Sequence, residues 1–476
     1  MTTYSIDKAY IESSLQLGTV SECSSEYILV WDDNGGFTKY RTLESFGLQS
    51  GRVPSLSSDS TTSTITVVEK PTLNTGSSNV FVGFGAASAS SVVDSSLLAG
   101  ANAGKNLLNA DGVIALGKDA MLNSTVATSS IVIGRCAAPN TIGTYNIFIG
   151  DCVAFNNTKG CINTFVGDFA GYSGTSSECT VAMGFRAGYN NSAKCNSFVG
   201  VLSGFSNTSG YNNTFLGFSS GLNNNCGYNN TFLGAFAGYS ATSSFGNVFI
   251  GPAAGYTSKS SYNVMIGHRA GCLTTTGEAN VFMGYDVGLN NTTGTGNVFF
   301  GFRSGCSNTI GNGNIFIGQD TGSANTSGGG NVVIGYLAGG AFNGLNDNTF
   351  IGTGAARFTC TNIGIAVGNR VAELANGTSN VLIGDGIGVN LSFNSCFNVF
   401  LGSGSGPTMS ATYSNSIAIG TGAEIWKDCQ LSLASSSYPL GTSSTFTEYG
   451  ATLKNPAFWL CVTVNGVDGK IPIYGV

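Results

Sequence analysis

Tyr211–Tyr239 reads YNNTFLGFSSGLNNNCGYNNTFLGAFAGY. The hexapeptide NNTFLG occurs twice in it, 17 residues apart: Leu216-Gly217 and Leu233-Gly234 occupy the same place in each copy. Each copy has a short β-prone triplet, Thr214-Phe215-Leu216 or Thr231-Phe232-Leu233, stopped by a glycine. Successive side chains of a strand point to opposite faces. A triplet whose last two residues are both apolar therefore asks for two dry environments.

The same unit continues outward in both directions. A glycine closing the triplet recurs from Gly83 to Gly420 at intervals of about 17 residues, and such self-similarity marks a repeat architecture. The unit reads Asn-x-Phe-(Ile/Val/Leu)-Gly-x-x-(Ala/Ser)-Gly, followed by a polar run of Asn, Thr, Ser and Gly. NVFIGPAAG from Asn247, NVFFGFRSG from Asn297 and NVVIGYLAG from Asn331 are clear copies, while SLLAG from Ser96 and VIALG from Val113 are weaker. The unit is too short for a helix pair, and no 3.6-residue apolar period appears. The expectation is an all-β repeat solenoid, a β-roll or β-helix of about 21 coils of about 17 residues. At about 4.8 Å per coil, this would make a rod of roughly 100 Å.

Within the triplet, the residue before the glycine is assigned to the coil's own interior. The residue before that, most often Phe, is then assigned to the opposite face. The resulting ladder is Phe148, Phe165, Phe198, Phe215, Phe232, Phe249, Phe282, Phe299, Phe316, Phe350 and Phe400. An exposed ladder of this kind would be a large apolar patch. It is therefore expected to be buried against sister chains in a parallel homotrimer. The triplet-closing glycines, Gly167, Gly200, Gly217, Gly234, Gly251, Gly284, Gly301 and Gly318 among them, are expected at tight corners requiring positive φ. The Ala/Ser-Gly pair, as at Ala237-Gly238, is expected to let backbones approach closely. The leading Asn should form a hydrogen-bonded ladder at a corner.

Composition narrows the function classes. The chain has 476 residues, 70 Gly, 8 Pro, 30 Phe and 9% charged residues, the reverse of a disordered composition. Net charge is −6 and no basic stripe occurs, so a nucleic-acid partner is not expected. No run of about 18 apolar residues occurs, so membrane insertion is not expected. The first residues carry no basic segment followed by an apolar one, so no secretory signal is read and cytoplasmic folding is expected. The 13 cysteines form no CxxC pair or Cys/His cluster. They are read as small buried hydrophobes stacked in equivalent slots: Cys136 and Cys152 two residues after a repeat glycine, Cys272 and Cys306 five after.

No enzyme is expected. The single histidine, His268, lies beside Arg269 at a variable turn position, and Asp151, Asp168, Asp320 and Asp385 fall in or near the same slot as singletons. Catalysis needs a convergent set of ionisable groups, and none is apparent. No cofactor or metal motif occurs. The sequons at Asn207, Asn212, Asn229 and Asn291 belong to the turn motif and are weak evidence for glycans.

SIAIGTGA (Ser416–Ala423) and TVAMGFRAG (Thr180–Gly188) resemble the head repeats of trimeric autotransporter adhesins. That resemblance covers about residues 79–423 and implies a trimeric left-handed β-roll. The period here is longer, and secretion and anchor segments are not evident. In that respect the chain looks more like phage tail fibres and the surface fibres of large viruses. These families imply host-cytoplasmic folding, incorporation into a particle and receptor contact. The expected function is a structural or adhesive fibre or spike of a virus or phage-like particle, placed on the virion or as an extracellular appendage. The alternatives are a bacterial surface adhesin and a β-helical polysaccharide-active enzyme.

The ends break the period. Residues 1–50 contain an expected hairpin, Tyr27–Trp31 and Phe37–Arg41 around Asp32–Gly36, read as an attachment or cap module. Residues 51–78 form a Ser/Thr-rich linker, 79–423 the repeat shaft, and 424–476 a β tip or trimerisation cap. A turn is expected there at Asn465-Gly466 or Asp468-Gly469, with Trp426, Trp459 and Tyr474 as core aromatics. Expected partners are the chain itself, a parent particle through the N-terminal module, and a host surface receptor, glycans included.

Overall fold

The computed structural model describes residues 79–359, 361–373, 377–388, 395–407 and 412–433, and the backbone of strands Tyr27–Trp31, Phe37–Thr42, Phe458–Val464 and Val467–Ile473. The linker 51–78 and Tyr474 lie outside the described residues. No helix occurs among the described residues. The chain divides into two compact units, Met1–Asn263 and Val264–Val476. The described residues from 79 to 433 form a parallel β-solenoid in each unit, about 20 turns in all with repeats of ~17 residues.

In the first unit, three-residue strands run from Val80–Val82 to Val248–Ile250, each pairing in parallel with the strand of the next turn. The register keeps equivalent residues opposite each other: Thr214 with Thr231, Phe215 with Phe232, Leu216 with Leu233. The second unit repeats the pattern from Val264–Ile266 to Ile417–Ile419, and Leu431–Ser432 adds a last short strand beyond Ala423, where the sequence motif ends.

The middle residue of each triplet points inward. Phe148, Phe165, Phe198, Phe215, Phe232, Phe249, Phe282, Phe299, Phe316, Phe350 and Phe400 are all completely buried within the single chain. This inverts the expected orientation, which had these side chains facing sister chains. The physical reason lies in the second glycine of each GxxAG. Gly221 and Gly238 adopt φ of +57° and +58°, and a Cβ there would lie 2.4 Å from the rings of Phe215 and Phe232. That glycine makes room for a ring, rather than for a neighbouring backbone as expected. Small residues before it complete the cavity: Ala237 and Ala254 are buried, while Ser220 donates its hydroxyl hydrogen to the Phe232 carbonyl at 3.1 Å.

The triplet-closing glycine has a different task. Gly234 has φ +135°, and a Cβ there would lie 2.6 Å from the Gly251 carbonyl carbon. Stacked corners meet backbone to backbone, and only a residue lacking Cβ fits.

The leading asparagines form the expected ladder. Asn230 Oδ1 accepts from the Asn247 backbone N–H at 3.1 Å and from its Nδ2 at 3.2 Å, while Asn230 Nδ2 donates to the Ser244 carbonyl at 2.8 Å. A second buried amide ladder runs through Asn191, Asn207 and Asn224 in the first unit and Asn291, Asn308 and Asn325 in the second. Buried polar groups are costly unless paired, and stacking identical amides pairs most of them; Asn224 Oδ1, where the second ladder ends in the first unit, is left without a partner.

The first turns depart from this plan. A separate parallel sheet joins Val92–Asp94, Asn109–Asp111 and Val126–Thr128. There, buried Val93, Ala110 and Ala127 stand four residues before the main strand, where later turns have Gly143, Gly160 and Ser177. Those later positions instead offer their carbonyls to the asparagine ladder, as Gly160 does to Asn146 Nδ2 and Ser177 to Asn163 Nδ2.

Outside the solenoid, Tyr27–Trp31 pairs antiparallel with Phe37–Thr42, with an irregularity at Val30/Trp31. Phe458–Val464 pairs antiparallel with Val467–Ile473, which puts Asn465-Gly466 between the strands and Asp468-Gly469 within one. Trp426 is 64% exposed, so it is not the core aromatic expected there. It lies in the turn after Glu424 and donates its backbone N–H to Gln430.

Candidate functional site

With the phenylalanines inside, both flanking residues of each triplet face outward. The position before the closing glycine is apolar in every turn. In the first unit it includes Met183, Val199, Leu216, Leu233 and Ile250, and in the second Phe300, Ile317, Ile334, Ile351 and Leu401. These side chains are exposed or half-exposed; Leu216 is 42% and Phe300 51% exposed. The other outward position admits polar residues, such as Ser197, Thr214 and Thr231. Beyond the glycine the apolar surface widens, with Phe185, Val201 and Phe218 exposed on successive turns of the first unit and Tyr285 and Phe302 on successive turns of the second. Within each unit, exposed apolar side chains thus recur at this position turn after turn.

One group of ionisable side chains, His268, Arg269 and Asp286, meets on two adjacent turns of the second unit. Arg269 donates from Nε and Nη2 to both oxygens of Asp286, at 2.8 and 2.6 Å. His268 Nδ1 stands 3.8 Å from Asp286 Oδ1, and its ring stacks on Tyr285 with centroids 5.0 Å apart. Asp286 is thus engaged by arginine on the preceding turn. The nearby Cys272 thiol is pushed up by burial, the opposite of nucleophile activation.

The singleton aspartates are likewise paired between neighbouring turns. Asp151 receives a bidentate contact from Arg135, Asp320 lies 3.6 Å from Arg303, and Asp385 accepts from Asn369 Nδ2. Asp168 Oδ1 accepts from the Asp151 backbone N–H at 2.9 Å. No group of three or more metal-ligating side chains occurs among the described residues.

The cysteines differ from the expectation of burial. Cys306 is buried, but Cys179, Cys195, Cys226 and Cys429 are exposed, and the other described cysteines are intermediate. Several sit at corners with positive φ: Cys136, Cys152, Cys179, Cys195 and Cys429. Sequence reading assigned such conformations to glycine, yet non-glycine residues such as Phe236 and Asn229 adopt them too. Among the sequons, Asn207 and Asn291 are buried within the amide ladders, while Asn212 and Asn229 are exposed and bonded to each other at 3.2 Å.

Among the described residues, no helix is long and apolar enough to cross a membrane. In comparisons with protein-family models, curated proteins and solved structures, nothing matches this chain.

Proposed function

We propose that this chain is the shaft of a homotrimeric fibre or spike of a virus or phage-like particle, serving attachment to a host surface. The observation that carries the reading is the outward ladder of residues before the closing glycines, apolar in every turn. A partner for such a ladder must present apolar side chains at the spacing of stacked strands, about 4.8 Å. A parallel copy of the same chain does so automatically. Cyclic symmetry brings the same stripe of each copy to a common axis, and three copies give a closed assembly. The resemblance of Thr180–Gly188 and Ser416–Ala423 to trimeric fibre repeats points the same way.

On this reading, the polar turn faces and the ends remain available to other partners. The N-terminal segment joins the parent particle, and the outer surface or the C-terminal segment meets the receptor. The work is mechanical and adhesive, with no cofactor.

The test is to replace Leu216, Leu233 and Ile250 together with Asp. The proposal expects separated chains that keep their β circular-dichroism signal and lose binding to host cells. An oligomer of unchanged mass would remove the ladder as the assembly surface.

A further inference from the structure

Two pairs of cysteines occupy the same slot on adjacent turns of the first unit. Cys136 and Cys152 each lie five residues after the start of their strands, Ile131–Ile133 and Ile147–Ile149, which pair in register. Cys179 and Cys195 each lie two residues before theirs, Val181–Met183 and Ser197–Val199, which also pair in register. All four have positive φ, between 50° and 57°, so the two members of each pair project alike. A cross-turn ion pair stands one residue before each: Arg135–Asp151 before the first and Lys194–Glu178 before the second. Neighbouring strands lie about 4.8 Å apart. That falls inside the Cα separation of about 4.4–6.8 Å that a disulfide spans. All four cysteines are free thiols, with Cys179 and Cys195 exposed and the other two half-exposed.

We infer that Cys179–Cys195 and Cys136–Cys152 are two-electron modification sites, at which a small-molecule disulfide converts each thiol pair into a bridge clipping adjacent turns. One thiolate of a pair attacks the oxidant, forming a mixed disulfide and releasing one small thiol. The second protein thiolate attacks the protein-bound sulfur of that mixed disulfide and releases the other small thiol. Each bridge consumes two protein thiols and reduces one oxidant molecule to two thiols. Burial first, then the neighbouring Cys136, raise the Cys152 thiol, and desolvation, then Cys195, raise that of Cys179, so exchange at these two thiols is favoured by alkaline pH. The inference is independent of the fibre reading.

The fold supplies an internal control. Cys272 and Cys306 share a slot two turns apart, with Leu289 in the same slot on the turn between them. Two strand spacings come to roughly 10 Å, too far for a bridge. Cys161 is a competitor for the exposed pair, since its carbonyl accepts the Cys179 backbone N–H at 3.2 Å.

The experiment treats the full chain with oxidised glutathione, alkylates remaining thiols and maps peptides by mass spectrometry. The expected result is a Cys179–Cys195 cross-linked peptide and an internal Cys136–Cys152 bridge, with Cys272 and Cys306 alkylated. The thermal midpoint should rise on oxidation and return on reduction. In Cys195→Ser, Cys179 should instead retain a glutathione adduct. A Cys161–Cys179 bridge, bridges only between chains, or full alkylation of the four cysteines would overturn the assignment.

Discussion

Phe215 and Phe232 lie face to face inside the first unit, their ring centroids 4.7 Å apart and their planes 5° from parallel. Phe249 continues the stack at 4.8 Å. Register puts identical residues opposite one another, so each ring finds its counterpart one strand spacing away. This run of stacked rings is closed on one side by the second glycine of the repeat, Gly221 against Phe215, Gly238 against Phe232 and Gly255 against Phe249.

Truncation in that column should be costly. Phe232→Ala leaves a ring-sized void between two stacked neighbours, a loss of about 3–5 kcal/mol. Chemical denaturation of the first unit would register it. Replacing Phe215, Phe232 and Phe249 together with Asp should abolish the fold itself, rather than release folded monomers.

Gly234 should tolerate no side chain. Its φ of +135° is strained for any other residue, and a Cβ would run into Gly251. Gly234→Ala is expected to destabilise by at least about 2 kcal/mol, since backbone strain alone is worth about 1–3 kcal/mol. Gly296, around which a Cβ meets nothing within 4 Å, is the comparison: Gly296→Ala should lose only the cost of its φ of +64°. Parallel thermal melts of the two variants would show the difference.

The amide ladder predicts a third effect. Asn230→Ala removes the acceptor for the Asn247 backbone N–H and the donor to the Ser244 carbonyl, leaving buried groups unpaired at about 1–3 kcal/mol each. Hydrogen exchange of the Asn247 amide should accelerate by orders of magnitude, while amides several turns away keep their protection.

Arg135 and Asp151 provide a pH signature. The hydrogen bonds from Arg135 hold the Asp151 carboxyl below its ordinary range. The pair's stabilising contribution is therefore present above the usual carboxylate pKa and is lost as pH falls through the lowered value. The pair is exposed, so that contribution is small. Carbon NMR of the Asp151 side chain should show a titration midpoint below that of an unpaired aspartate, and Arg135→Gln should bring it back up.

The period, the parallel stacking and the asparagine ladder were legible because each depends on spacing alone. Which face of the triplet points inward was not read correctly, because Phe-Leu or Phe-Ile is apolar on both faces and a period of two does not choose between them. A usable signal was present. Thr214, Thr231 and Ser197 share strand parity with Leu216, Leu233 and Val199, and a polar residue recurring at one parity marks the outward face. The glycine against most of the rings, as Gly221 against Phe215 and Gly238 against Phe232, was a second signal, legible only if GxxAG is read as a ring seat. The early sheet at Val92–Asp94, Asn109–Asp111 and Val126–Thr128 escaped notice because its strands are short and semi-polar, and its logic depends on the missing Asn and Gly of later turns.

The central claim is that the outward ladder is covered by copies of the same chain. Native mass by multi-angle light scattering tests it most directly. The account predicts a species of three 48.6 kDa chains that separates to single chains only on boiling in detergent. A single chain in native buffer, stable and soluble with its ladder exposed, would contradict it.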